Sequence, residues 1–232
     1  MATTTPSLER DHVYLLVGKT KAGKSTLCNY FTGSEAFKVL DDCNSCTAEA
    51  QFQPKWSGIV DGTKHSVTLI DTIGLYDTRG TSNNAAMRST VKAICSNCQY
   101  INGIIIMNRE NGLTKEEIKT FNTVRALLNS EARNEIPIKT VLTYKGPRYT
   151  DEQVVTKIQA YSAHPDFKDY MEKVTNDIIF VNIDTADDAV ALRNILLGNV
   201  KSVHKSKIIV GIKGPDDIER YNFFPSYTCS MS

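Results

Sequence analysis

Short apolar runs along the chain alternate with stretches in which apolar residues recur every three or four positions, a pattern that predicts strands alternating with helices. Six runs are predicted to form strands, at residues 11–17, 47–56, 64–71, 103–108, 138–143 and 177–183. Helices are predicted to begin near Lys24, Ala85, Thr114, Thr150 and Asp187, and the last of them to reach residue 203. Thr114 and Thr150 each open a capping box. The threonine and the Glu or Gln three residues later each accept a hydrogen bond from a backbone amide that has no partner within the helix.

The second and third strands are joined by Asp61-Gly62, a dipeptide typical of tight hairpins, so these two strands are expected to be antiparallel. Elsewhere a helix separates consecutive strands, which favours parallel pairing with helices on both faces of the sheet. The predicted fold class is therefore α/β, with a mostly parallel six-stranded sheet that contains one antiparallel strand. The domain is expected to span residues 10–205, after a flexible N-terminus (1–9) and before a C-terminal extension (206–232).

Composition and charge exclude several classes of function, although they say little more about the fold. The 232 residues include 27 Lys+Arg and 26 Asp+Glu, so the chain lacks the basic excess of nucleic-acid binders and no nucleic-acid partner is expected. The first twelve residues lack the apolar core of a secretory signal, and no apolar run approaches the ~20 residues that span a bilayer. A cytoplasmic location is the resulting expectation.

Four of the six cysteines form two C-x-x-C pairs, Cys43 with Cys46 and Cys95 with Cys98, for which a zinc site is one interpretation. Residues 47–94 separate the pairs, whereas zinc ribbons usually have ~15–20 residues between theirs. The predicted topology also places the pairs at opposite edges of the sheet. Reduced thiols in a cytosolic protein are therefore the favoured interpretation.

The strongest chemical signal lies between the first strand and the first helix, where residues 18–25 match the phosphate-loop pattern G-x-x-x-x-G-K-[ST]. Glycines let such a loop wrap around a phosphate, and the loop amides and the helix N-terminus provide positive potential. Lys24 is predicted to reach the β- and γ-phosphates, and the Ser25 hydroxyl to bind Mg²⁺. The predicted nucleotide-binding residues here are Gly18, Lys19, Thr20, Lys21, Ala22, Gly23, Lys24, Ser25 and Thr26.

A second signal, Asp71-Thr72-Ile73-Gly74, follows the third predicted strand and matches the D-x-x-G pattern of GTPases. Asp71 is predicted to hold Mg²⁺ through water, and the Gly74 amide to sense the γ-phosphate. Thr47 is the candidate to bind Mg²⁺ and order a first switch loop, although other hydroxyl residues lie close to it in the sequence. The candidate catalytic residues are thus Lys24, Thr47 and Gly74.

Together these patterns resemble the AIG-type GTPases, the immunity-associated nucleotide-binding proteins, which are related to septin and chloroplast-import receptor GTPases. The resemblance covers about residues 10–200 and is carried by residues 16–29, 44–49, 71–74 and 103–128. It implies a P-loop NTPase G domain that binds GTP or GDP with Mg²⁺, hydrolyses GTP slowly and dimerises across its nucleotides. The implied partners are a second copy or relatives of the same family, and many members associate with membranes through a C-terminal extension.

The base-reading pattern of that family, [RTN]-K-x-D, is only partly present after the fifth predicted strand, as Tyr144-Lys145-Gly146-Pro147. Pro147 replaces the carboxylate that pairs with the guanine ring nitrogens, and losing such a matched polar group lowers selectivity against adenine. Tyr144 and Lys145 stay candidates for contact with a base, and Asn182 falls where the family has an Asn near the base. The choice between guanine and adenine is open on this evidence.

Two further departures concern hydrolysis. Leu75 follows the D-x-x-G pattern where Ras-like enzymes carry a water-positioning Gln, which predicts low intrinsic activity. Gly112 occupies the position from which some relatives donate an arginine across the dimer, and Arg109 lies nearby but out of register. Arg109 is therefore a candidate catalytic arginine, with a solvated loop arginine as the favoured interpretation.

The last four residues, 229–232, have the spacing of a C-a-a-X prenylation box, although Ser230 is not aliphatic. Prenylation of Cys229 predicts peripheral association with the cytosolic face of a membrane, and one lipid chain needs a second signal for stable anchoring. A cysteine that falls at this position by coincidence is the alternative.

The leading functional hypothesis is a guanine-nucleotide switch with slow GTP hydrolysis and nucleotide-dependent dimerisation. The first alternative, favoured by Leu75 and Gly112, is an assembly or scaffold protein that holds nucleotide with negligible turnover. The second is an ATP-dependent phosphotransferase, since the phosphate loop alone does not select the base. Such enzymes usually have an arginine-rich lid, and residues 74–84 offer only Arg79.

Overall fold

The computed structural model describes residues 10–39, 50–52, 55–74, 83–97, 101–110, 114–127, 136–174 and 178–198. The strands among them are β1 (Arg10–Gly18), β2 (Trp56–Val60), β3 (Thr63–Asp71), β4 (Gly103–Arg109), β5 (Ile138–Tyr144) and β6 (Ile178–Asn182). They form one six-stranded sheet in the order β2-β3-β1-β4-β5-β6. The β2–β3 pair is antiparallel and the other four pairs are parallel, which confirms the predicted fold class.

The described helices are α1 (Lys24–Thr32), α2 (Asn83–Asn97), α3 (Lys115–Leu127), α4 (Asp151–Ala163), α5 (Lys168–Val174) and α6 (Asp187–Leu197). Five of them begin within two residues of the predicted positions. The predicted capping box at α4 is present, because the Thr150 hydroxyl accepts from the Gln153 amide and the Gln153 side chain accepts from the Thr150 amide. Helix α5 is not predicted, since seven residues are too few to establish a helical period.

Alternate side chains of the central strand β1 enter two separate hydrophobic cores, one on each face of the sheet. Val13, Leu15 and Val17 belong to the first core, and Tyr14 and Leu16 to the second. Residues of α2, α3 and α5 complete the first core, while residues of α1 and α6 complete the second. This division explains why the apolar run of β1 is continuous rather than alternating.

The boundaries of the first hairpin strand were predicted wrongly. Instead of residues 47–56, β2 runs from Trp56 to Val60. Asp61 and Gly62, with φ of 46° and 73°, form a two-residue turn that pairs Val60 with Thr63 directly. A turn this tight requires the strand to continue up to it. Within the predicted run, Gln51 forms an isolated bridge with Asp71, and residues 47–49 and 53–54 lie outside the described residues.

The five parallel strands all end at one edge of the sheet. Their last residues are Gly18, Asp71, Arg109, Tyr144 and Asn182. The phosphate-loop, D-x-x-G and base-reading patterns therefore follow strand ends that share this edge. In open α/β sheets this is the edge where ligands bind.

Several predicted features lie outside the described residues: segments 1–9 and 206–232, and with them Thr47, Leu75, Gly112, Cys229 and three of the paired cysteines, Cys43, Cys46 and Cys98. Among the described side chains, no group of three or more His, Cys, Asp or Glu is arranged to hold a metal ion. No helix in the described part of the chain has both the length and the apolarity needed to cross a membrane.

Candidate nucleotide-binding site

The phosphate loop makes a sharp turn between β1 and α1. Gly18 lies against the backbone of β4, and a Cβ at this position would stand 2.1 Å from the carbonyl oxygen of Met107. Further along, Lys21 and Gly23 adopt positive φ values of 66° and 84°. Helix α1 begins immediately after Gly23. Both glycines of the pattern are thus required by the backbone, one for close approach and one for a left-handed conformation.

The Lys24 ammonium lies inside the arc of this loop. The residue is only 6% exposed, and Nζ donates to the carbonyl oxygens of Gly18 (3.2 Å) and Lys19 (3.0 Å). Burying a cation is costly unless oxygen acceptors surround it. The loop therefore holds one positive charge next to the helix N-terminus, where an anionic phosphate is electrostatically favoured.

Two oxygen ligands suited to Mg²⁺ meet beside the loop. Ser25, in the first turn of α1, donates its hydroxyl hydrogen to Oδ2 of the fully buried Asp71, with 2.6 Å between the oxygens. Next to Asp71, the Thr72 hydroxyl donates to the carbonyl oxygen of Leu16 at 2.7 Å and fixes the end of β3 against β1. Mg²⁺ is usually bound by one or two such protein oxygens together with water and substrate phosphates. The residues present therefore fit this ion.

Gly74 lies directly against the phosphate loop. A Cβ at this position would stand 2.3 Å from Oγ1 of Thr20 and 2.6 Å from its backbone nitrogen. The Thr20 hydroxyl is buried there and has no hydrogen-bond partner among the described residues. The structure thus brings the D-x-x-G glycine next to the phosphate loop, and its role as a γ-phosphate sensor stays a prediction.

Thr143, near the end of β5, contacts the phosphate loop through its hydroxyl group. The sequence analysis did not identify this residue. Its hydroxyl lies 3.0 Å from the carbonyl oxygen of Ala22 and 3.2 Å from that of Asn108. The residue is 2% exposed, so this contact is shielded from water. The available signal was a hydroxyl side chain close to the carboxyl end of a predicted strand.

Two further contacts connect the loop to β4 and α3. The Arg109 Nε donates to the carbonyl oxygen of Lys21 at 2.7 Å. The Lys19 ammonium donates to Oγ1 of Thr114, the residue before α3, at 3.1 Å. Arg109, the candidate catalytic arginine, therefore contacts the phosphate loop of its own chain.

The loops after β5 and β6 are joined by hydrogen bonds. The side-chain amide of Asn182 donates to the carbonyl oxygen of Gly146 (2.7 Å) and accepts from the backbone amide of Asp184 (2.8 Å). In return, the Gly146 amide donates to Oδ2 of Asp184 at 2.8 Å. Asn182 is thus buried between the loops, where it fixes their separation. Its predicted contact with a base stays a prediction.

These two loops adjoin the phosphate loop. A Cβ at Gly23 would stand 3.3 Å from the Ile183 side chain, so the loop after β6 packs on the start of α1. Ala186, three residues later, lines a cavity of about 1000 Å³ together with Thr26 and Asn29 of α1. The loop after β6 is therefore a direct neighbour of the phosphate loop.

A partly buried polar cluster around Glu110 anchors the loop after β5. The Glu110 carboxylate accepts from the Tyr149 hydroxyl and the Lys157 ammonium, and the Glu110 carbonyl oxygen accepts from the Tyr161 hydroxyl. Burial, followed by the hydrogen bond to Glu110, raises the pKa of Tyr149, and the bond to Glu110 raises the pKa of Lys157. The Tyr149 ring stacks on Tyr144 with 4.1 Å between centroids. Sequence reasoning missed this cluster because its members are far apart in the chain.

Comparison with known proteins agrees with this geometry. A sequence model of the AIG1 family matches residues 13–208. No curated protein sequence matches the chain.

Similar solved structures include Toc33 from Arabidopsis thaliana in complex with GDP and Mg²⁺, at 15% identity and a TM-score of 0.54, covering 86% of this chain and 88% of that one. A structure of the chloroplast translocon components atToc33 and psToc159, described as showing that dimerization is important for their GTPase activity, has 15% identity, a TM-score of 0.52 and coverage of 84% and 87%. A point variant of Era from Aquifex aeolicus, bound to GDP·AlF4⁻, has 14% identity, a TM-score of 0.56 and coverage of 81% of this chain but only 56% of its own. At these identities the likeness shows the fold alone.

Proposed function

Because the chain belongs to the AIG1 family, we propose that it binds GTP and GDP with Mg²⁺ and acts as a nucleotide-controlled switch. The observation that carries the proposal is the phosphate loop itself, with a buried Lys24 ammonium and the Ser25–Asp71 oxygen pair beside it. Toc33, of similar fold, is described with GDP and Mg²⁺ bound, which supports the choice of ligand.

In this proposal the loop backbone and Lys24 hold the β- and γ-phosphates, while Ser25 and Asp71 hold Mg²⁺, directly and through water respectively. The bound ion would neutralise charge on the phosphate oxygens. Gly74 packs on Thr20 of the phosphate loop. A γ-phosphate that displaces this loop would therefore also displace Gly74. That contact is the physical basis for a response to GTP but not to GDP.

We propose that GTP hydrolysis by the isolated chain is slow. Efficient catalysis requires a side chain that positions water and an arginine that stabilises the transition state. The sequence has Leu75 and Gly112 at the corresponding positions. The alternative is a scaffold protein that binds GTP and hydrolyses it at a negligible rate. A single-turnover assay separates the two, because a scaffold would retain its triphosphate for hours.

We further propose that GTP promotes dimerisation with a second copy or a relative of the same family, as the description of the Toc translocon components supports. Arg109 contacts the phosphate loop from the end of β4, beside the start of α3. A partner that docks on this edge would therefore touch the nucleotide-binding elements. A cytoplasmic location, and membrane association through Cys229, stay predictions.

Calorimetric titration with GTP, GDP and ATP in Mg²⁺, combined with light scattering, tests the proposal. Wild type is expected to bind GTP and GDP and to dimerise with GTP. Lys24→Ala is expected to abolish both, because it removes the buried charge from the phosphate loop. Lys168→Ala, which removes an exposed lysine of α5, is the control and should behave as wild type. A wild-type chain that binds neither GTP nor GDP would contradict the proposal.

A further inference from the structure

Two aspartates lie close to the loop that carries Pro147, and they are used differently. Asp188 is buried; its Oδ2 accepts from the Asn182 amide at 2.8 Å, and its Oδ1 lies 3.4 Å from the Arg148 guanidinium. Asp184, in contrast, has a side chain 42% exposed. Its Oδ2 accepts from the Gly146 amide, while its Oδ1 lies 3.8 Å from the Lys145 ammonium, too far for a hydrogen bond. The Asp184 carboxylate is therefore partly exposed, and its Oδ1 forms a loose ion pair with the exposed Lys145.

Asp184 also stands where the base of a bound nucleotide is expected. It directly follows Ile183, whose side chain packs on Gly23 at the end of the phosphate loop. Two residues later, Ala186 lines a cavity whose other walls come from α1 and from the segment 33–39 that follows it. Since Asp184 is the neighbour of Ile183, we expect a nucleoside whose phosphates occupy the loop to extend towards the Lys145 and Asp184 side chains.

The position of this carboxylate is held before any ligand binds. Asn182 bonds both the Asp184 amide and the Gly146 carbonyl, and Asp184 returns a bond to the Gly146 amide. Two hydrogen bonds of 2.7 and 2.8 Å therefore join the two loops through Gly146, and a third, between Asp184 and Asn182, fixes the start of the loop after β6. Preorganisation of this kind increases the selectivity of a binding group, because little entropy is lost when the ligand arrives.

We propose that Asp184 reads the guanine base in this chain, supplying from the loop after β6 the carboxylate that Pro147 cannot supply from the loop after β5. Guanine presents N1–H and N2–H donors on one edge, which a carboxylate accepts. Adenine presents an unprotonated N1 at the corresponding place and is repelled. The Lys145 stem covers the face of the base. This inference rests on the proposed function, and it names the residue that gives that function its base specificity.

The test replaces Asp184 with asparagine. The side-chain oxygen of the Asp184→Asn variant can still accept from Gly146, so the link between the loops is kept, while its NH₂ group turns a donor towards the base. Affinity for GTP is expected to fall by about 10- to 100-fold. Affinity for XTP, whose base carries an oxygen in place of the 2-amino group, is expected to rise above that for GTP. Asp187→Asn makes the same charge change at an exposed position on α6 and should leave both affinities unchanged.

A measurement on wild type makes the test independent of how the variant folds. ITP lacks the 2-amino group of GTP, and its affinity is expected to be about tenfold lower. If Asp184→Asn keeps the preference for GTP over XTP, or if wild type does not distinguish GTP from ITP and ATP, Asp184 does not read the base and nucleotide binding itself still stands. If wild type binds no guanine nucleotide, the proposed function fails and this inference fails with it.

Discussion

The buried pair His12 and His65 predicts that the fold loses stability on mild acidification. Nε2 of His12 and Nδ1 of His65 are 2.8 Å apart, and both residues are almost fully buried where β1 pairs with β3. A hydrogen bond between two ring nitrogens requires one of them to be unprotonated. Burial lowers the pKa of His12 to about 4, with smaller contributions from the charges of His65 and Arg10. The pKa of His65 is lowered as well, mainly by burial.

A pKa that is lower in the folded state than in the unfolded state means that acid protonates the unfolded chain first. The contribution of His12 is therefore fully present above pH 6.5, the unfolded value, and is lost as the pH falls towards 4. For a shift from 6.5 to about 4, the free energy of unfolding decreases by about 2 kcal/mol between pH 7 and pH 5. His65 adds a loss of the same sign.

Urea denaturation followed by circular dichroism at pH 7, 6 and 5 measures this loss, in a range where most carboxylates do not yet titrate. The His12→Phe variant keeps a ring beside Tyr14 but removes the titrating group, so its stability should depend less on pH. His164→Gln, at an exposed position, should retain the wild-type dependence. An unfolding free energy that is constant from pH 7 to pH 5, or that falls equally in His12→Phe, would refute the reasoning.

Two further predictions concern the phosphate loop. Gly74→Ala forces a methyl group into a contact that has no room for it, at a cost of about 1–3 kcal/mol, and calorimetry should show GTP binding weakened more than GDP binding. Gly62→Ala places alanine at a positive φ in the distant hairpin, so it should lower stability but leave the affinities for GTP and GDP unchanged. Thr143→Val and Thr140→Val each remove a buried hydroxyl from β5, and each should lower the free energy of unfolding by about 1 kcal/mol in urea. Only Thr143→Val should also weaken GTP binding, and equal effects of the two variants on affinity would contradict a role for Thr143 in the loop.

The parts of the site that were predictable from sequence are those whose backbone conformation demands particular residues. Gly23 has a positive φ immediately before the first helix, so this glycine of the phosphate-loop pattern reflects a local constraint. The same holds for the capping box at Thr150. Such requirements are met within a few residues of the chain, which is why they can be recognised before the fold is known.

The parts that were not predictable depend on contacts between distant segments. Glu110 and Lys157 are 47 residues apart, and only the folded chain shows that they pair. The error in β2 has a related cause: the pattern of residues 47–56 is compatible with a strand, but the turn at Asp61 decides where the strand lies. Periodicity indicates that a strand is possible, and the pairing geometry determines its limits.

The proposed base recognition also depends on a contact between segments that are distant in the sequence. The pattern after β5 contains Pro147 where a carboxylate is expected, so taken alone it indicates lowered selectivity against adenine. However, β5 and β6 are neighbours in the sheet, and Asn182 holds their following loops together through Gly146. We therefore propose that a carboxylate on either loop can face a bound base. Since a ligand responds to where an acceptor stands and not to which strand carries it, the proposed role of Asp184 requires no change in the fold.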